Sequence, residues 1–171
     1  MTHFDFASLL NLISTIAIVG ALLFTALQVR AANRTRQDQA AIAVIQTTQN
    51  EKWIQALGLV FNLPSDATLE QVTGRGSEME QALFELSIRL ETIGYMVFCR
   101  IADLQTIDNL IGGVATGFWS RSQKWTENYR AATNNPKFNE WCEWLADRLE
   151  ERHARMPLEP AQRQHRNWRE C

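Results

Sequence analysis

The sequence predicts an all-α protein. An N-terminal transmembrane helix runs on into a stalk and is followed by a cytoplasmic bundle of four or five helices. Three observations predict this. Residues 6–29 carry no charge at all. Beyond them, apolar residues recur at alternating steps of three and four, the period of a helix face. No alternating strand pattern of any length interrupts them.

The first element is the run FASLLNLISTIAIVGALLFTALQV from Phe6 to Val29. A helix of that length spans ~36 Å and crosses a ~30 Å hydrocarbon core with some tilt. Its polar residues, Asn11 and Thr15 among them, can bond to backbone carbonyls or to neighbouring helices. Residues 1–5 hold Asp5 and no Lys or Arg, and the apolar run is long, so a cleavable signal peptide is not expected. Arg30, Arg34 and Arg36 follow the span, whereas only the amino terminus, His3 and Asp5 precede it. The positive-inside bias therefore puts residues 1–5 outside and everything after the span in the cytoplasm, a single-pass topology. The same three Arg form a basic zone suited to anionic lipid. Within the span, Ala17-x-x-x-Ala21-x-x-x-Thr25 lines small residues along one face, a signal for self-association.

No Gly or Pro occurs between Ala21 and Leu57, so the helix is expected to continue over 30–49 as a stalk reaching ~30 Å if straight, a break near Asn33 being the alternative. Ile42 and Ile45 lie one helical step apart on it. Asn50 caps a helix over Glu51–Phe61, which closes at Asn62-Leu63-Pro64. Ser65 or Asp66 starts a short helix ending before Gly74-Arg75-Gly76. Ser77 with Glu80 reads as a capping box. The long helix it opens ends near Ile101 and carries Leu83, Leu86, Leu90, Ile93 and Val97 as a buried stripe, widened by Phe84, Ile88 and Tyr95.

Asp103 caps the next helix, whose stripe is Ile107, Leu110, Ile111, Val114 and Phe118. Gly112, Gly113 and Gly117 each cost that helix roughly 1 kcal/mol, so a packing reason is expected for Gly113-x-x-x-Gly117. Asn135-Pro136 is a cap followed by a proline at the first helical position. Phe138, Trp141, Cys142, Leu145 and Leu149 line the helix it opens, which ends before Pro157. Residues 50–156 suffice for one core, and 157–171 form a polar, Arg-rich tail with a single apolar anchor, Trp168.

Composition narrows the function. With 17 basic against 19 acidic residues the net charge is -2, so the chain as a whole is not a polyanion binder. Its 3 Cys are odd in number and lack C-x-x-C spacing, as befits unpaired thiols in a reducing compartment. Glu150-x-x-His153 has the spacing of a carboxylate-bridged di-metal bundle, but the required second pair is missing. No metal site and no cofactor is expected. Nucleophile-elbow, P-loop, zincin and dinucleotide-binding patterns are all missing from the sequence.

One pair stands out. Arg148-x4-His153 resembles the R-x(4–6)-H signature of HEPN-type ribonucleases, helical bundles that dimerise to join two such motifs. That resemblance implies Arg148 stabilising charge on a scissile phosphate and His153 acting as general acid or base. On a regular helix the two side chains stand about 140° apart, so they do not converge without a break.

The segments ISTIAIVGALLFTALQVR (Ile13–Arg30), LETIGYMVF (Leu90–Phe98) and LIGGV (Leu110–Val114) resemble a group of small bacterial membrane-anchored proteins classed only as a domain of unknown function. The resemblance covers most of the chain up to about Glu151. It implies a bacterial inner membrane and brings no catalytic residues. The architecture is also similar to the small pore-forming membrane protein that accompanies some RNA-targeting CRISPR effectors.

The expected function is a membrane-tethered helical interaction module, not an enzyme. Its expected partners are the lipid bilayer, further copies of itself and a cytoplasmic protein, in stress or phage-defence responses. The alternatives are a membrane-anchored ribonuclease using Arg148 and His153, with RNA as partner, and an oligomeric pore.

Overall fold

The computed structural model describes residues 6–48, 50–156 and 159–169; for 6–8, 33–34, 36–38, 40 and 47 it describes the backbone alone. His3, Asp5 and Cys171 lie outside the described residues. The described chain is all-α and divides into two compact units, residues 1–40 and 41–171.

The first unit is helix. α1 runs unbroken from Phe6 to Thr48, with no interruption at Asn33, as the absence of Gly and Pro beyond Gly20 permits. Within it, Leu9–Ala32 is long and apolar enough to cross a membrane, and none of that stretch is buried within the chain.

The second unit is a bundle of α2 (Glu51–Phe61), α4 (Ser77–Phe98), α5 (Leu104–Thr133) and α6 (Glu140–Arg155), with the short α3 (Leu69–Thr73) between the first two. A last turn, α7 (Ala161–Gln164), lies in the tail. α4 is the hub, packed against α2 on one side and α6 on the other. Its stripe is buried throughout: Leu83, Leu86, Leu90, Ile93 and Val97. Each such side chain removed from water contributes roughly 1.5–3 kcal/mol. α2 presents Trp53, Ala56 and Val60, α5 presents Ile107, Ile111, Ala115 and Phe118, and α6 presents Cys142, Leu145 and Leu149. Three of the expected stripe members face solvent: Ile88 is 65% exposed, Tyr95 49% and Leu110 43%.

Helix starts follow local chemistry at some positions only. Asn50 Oδ1 accepts from the Lys52 N–H, and the Asp103 carboxylate accepts from Thr106 N–H, as cap residues should. The capping box expected at Ser77 and Glu80 is not formed. Gly76 occupies the cap with φ 83 and Ser77 is already helical, so no side chain reaches the orphan N–H groups there. A capping box does open α3, between Thr68 and Gln71, so that helix begins later than Ser65 or Asp66.

The last helix of the bundle also begins later than Asn135-Pro136 suggests. Asn134 and Asn139 both take left-handed backbone, at φ 50 and φ 58, and residues 136–139 form a turn. Phe138 is thereby tucked against Phe84, Trp125 and Tyr129, with ring centroids 4.4–5.8 Å apart.

The link from α2 to α3 is pinned to α5. Arg121 donates from Nε to the Leu63 carbonyl at 2.9 Å and stacks over the Phe61 ring, while the Asp66 N–H donates to the Ser120 carbonyl. The Phe61 ring in turn lies over Gly117, where a Cβ would come within 3.0 Å of it. The neighbour of Gly117 is thus a side-chain ring and not the second backbone that the glycine spacing suggests. Gly113 faces open space.

Candidate functional site

The polar side chains of the bundle converge where α6 meets its neighbours, in two clusters. The first joins α5 to the end of α6. Asp108 accepts from Arg152 Nε at 3.0 Å through one carboxylate oxygen and from His153 Nε2 at 2.8 Å through the other. All three side chains are largely shielded, at 14%, 25% and 16% exposure. An ionised carboxylate can only accept, so the contact places a proton on Nε2.

Asp108 reaches this position because Gly112, one turn on, has no side chain. A Cβ there would stand 2.3 Å from the Asp108 oxygen. Gly112 thus has a structural reason to be glycine, and it lies one residue before the Gly113 singled out by spacing.

Arg148 is not part of that cluster. Its guanidinium pairs with Glu151 at 2.7 Å, and its buried Nε has no hydrogen-bond partner among the described residues. Arg148 and His153 are held by different acids, one on α6 itself and one on α5. The grouping that forms around His153 is Asp108 and Arg152.

The second cluster seats the start of α6 on α4. Glu91 Oε2 accepts from the N–H groups of Trp141 (3.0 Å) and Cys142 (2.9 Å), two of the orphan donors at the N-terminus of α6. One turn along α4, Gly94 lets the two backbones touch: a Cβ would lie 2.2 Å from the Trp141 carbonyl oxygen. Burial raises the Glu91 carboxyl above its usual value, and its two N–H bonds pull the other way. The positive end of the α6 dipole is therefore already occupied by the chain's own carboxylate.

Beside this contact, the buried Asn139 side chain donates to Ser87 Oγ at 2.9 Å and to Thr126 Oγ1 at 3.2 Å, tying α4, α5 and the turn together. Arg130 donates to the Phe138 carbonyl at 2.7 Å and pairs with Glu143 at 2.8 Å. Cys142 is fully buried, and burial raises its thiol so far that it stays protonated and inert.

In the apolar stretch of α1, Thr25 Oγ1 donates to the Ala21 carbonyl at 2.8 Å, which satisfies the hydroxyl within the helix. Ala17, Ala21 and Thr25 are all exposed, as is Arg30. The side chains of Arg34 and Arg36 lie outside the described residues. Among the described residues no group of three or more His, Cys, Asp or Glu is placed to hold a metal ion.

Sequence reading missed Asp108, Glu91, Gly94 and Asn139 as site residues. The available signals were faint: Asp108-x-x-x-Gly112 and Glu91-x-x-Gly94, each an acid one turn before a glycine.

The model of a family described as a domain of unknown function, DUF4760, matches residues 15–149. No curated protein and no solved structure matches the chain.

Proposed function

The chain belongs to the DUF4760 family, and from that premise we propose that it is a membrane-anchored helical interaction module. Its amino terminus lies outside and its bundle in the cytoplasm of a bacterial cell, and it self-associates. The observation that carries the reading is the apolar stretch Leu9–Ala32, none of which the rest of the chain buries. Such a surface is unfavourable in water by ~25 cal/mol per Å², and a bilayer core is the solvent that matches it in length. Arg30, Arg34 and Arg36 at its C-terminal end set the orientation, and the Ala17, Ala21, Thr25 face supports association. Arg148 pairs with Glu151 and His153 with Asp108, so no contact among the described residues joins the two side chains that the ribonuclease alternative would use. In the interaction module, His153 and Arg152 serve to clamp α6 to α5.

Fractionation of expressing bacterial cells tests the proposal. The protein stays in the membrane pellet through alkaline carbonate washing, and Ile18→Arg/Leu22→Arg moves it to the supernatant or to degradation. Protease added to spheroplasts leaves residues 41–171 intact, and protease added to inverted vesicles removes them. A wild-type chain that remains in the supernatant as a monodisperse monomer without detergent overturns the reading.

A further inference from the structure

α2 and α4 pack antiparallel. Arg89 of α4 lies over the Trp53 ring near the start of α2, while Arg75, just before α4, donates to the Asn62 carbonyl at the end of α2. Between the two helices runs a groove of about 850 Å³. Small residues, Ala56, Gly58 and Ala82, line part of it, and nothing lies within 4 Å of where a Gly58 side chain would stand. Ile88 lines the groove and is 65% exposed, while Ile54 on α2 is 63% exposed. These two side chains are large, apolar and uncovered on the described chain.

The charges of the groove are arranged by end. Lys52 sits where α2 begins and Glu78 where α4 begins, ~15 Å away along the helices. Among the described residues neither has an ion-pair partner, whereas the remaining acid of the lining, Glu85, is bonded to Arg89. A partner of one charge sign would meet attraction at one end and repulsion at the other. The arrangement fits its own copy turned through 180°, because a two-fold contact presents each end to the opposite end.

We infer that this groove is the contact surface between the bundles of two copies of the chain. A two-fold axis through the middle of the groove sets Lys52 of each copy against the partner's Glu78 and lays each exposed Ile88 over the partner's small-residue floor. The inference rests on the self-association reading above and gives that association a site on the bundle, separate from the Ala17, Ala21, Thr25 face.

The test uses the full chain in membranes, in a Cys99→Ser/Cys171→Ser background, with Gly58→Cys as the reporter near the groove centre. Mild oxidation joins this variant into a disulfide-linked dimer, and Gly113→Cys, at an equally open position on α5, stays monomeric. Added to the reporter, Lys52→Glu or Glu78→Lys alone lowers the dimer yield about threefold, the scale of two exposed ion pairs lost per two-fold contact. Together they restore it.

A reporter that crosslinks no better than Gly113→Cys overturns the inference, and so does a charge swap that fails to restore the yield. A reporter that joins only to other proteins overturns it as well, since the groove then holds a foreign segment. If the reporter fails while the detergent-extracted particle still has the mass of an oligomer, self-association survives and only the groove contact falls.

Discussion

Gly112 lacks a side chain where the Asp108 carboxylate needs the room, and that single vacancy decides whether Asp108 can bond to the end of α6. Helix propensity alone predicts that Gly112→Ala stabilises the chain by about 1 kcal/mol. The 2.3 Å approach to Asp108 predicts the opposite sign. Displacing the carboxylate strips Arg152 and His153 of their acceptor, a loss of about 1–3 kcal/mol for shielded, charged hydrogen bonds. Urea unfolding of the full chain in detergent should show Gly112→Ala and Asp108→Asn each destabilising, and the double variant no worse than the worse single one, because both break the same contact. Additive effects would mean that Gly112 acts through something other than Asp108. Beyond the bare Asp108-x-x-x-Gly112 spacing, this was not legible in the sequence. Asp108 finds its partners 44 and 45 residues further on, and no local pattern encodes a contact at that range.

At the scale of elements, the faces of the helices were legible and their joints were not. Leu83 through Val97 repeat at three and four because one side of α4 must be dry, a rule that every position obeys locally. Asn50 and Asp103 cap as expected because the donors they bind are their own near neighbours. Ser77 and Asn135 fail as starts because a left-handed backbone at Gly76 and at Asn134 and Asn139 re-aims the chain first, and the packing of Phe138 against three rings rewards that turn. The seat of α6 on α4 has its own signature in acid. Burial raises the Glu91 carboxyl above its usual 4.5, so the folded chain holds that proton more tightly than the unfolded one. Stability then falls as pH rises from 4.5 through the raised value, and the whole penalty is present at neutral pH. Glu91→Gln removes the titration. The difference in urea midpoint between the variant and the wild type therefore shifts in the variant's favour between about pH 4.5 and neutrality. A difference that stays flat over that window would show that the N–H bonds of Trp141 and Cys142 fully offset the burial.

For the whole molecule, the sequence distinguishes its two units by solvent: one stretch suited to lipid, one bundle with its apolar faces turned inward. Association through the span is the property that this scale predicts. Ala17→Leu/Ala21→Leu fills the small-residue face while preserving hydropathy, so the protein should stay in the membrane pellet and lose association measured by the mass of the detergent-extracted particle. An unchanged mass would assign association to the bundle alone.

The seat of α6 has one more consequence. Glu91 grips amide hydrogens and Gly94 yields to a carbonyl oxygen, so these two positions read only what every amino acid has in common. The reading of side chains falls to Tyr95 and Phe98, whose rings lie against Trp141. Across relatives, substitution at Glu140 should therefore pass with little restraint, while Trp141 gives way only to another aromatic residue and the acid and the glycine on α4 change rarely.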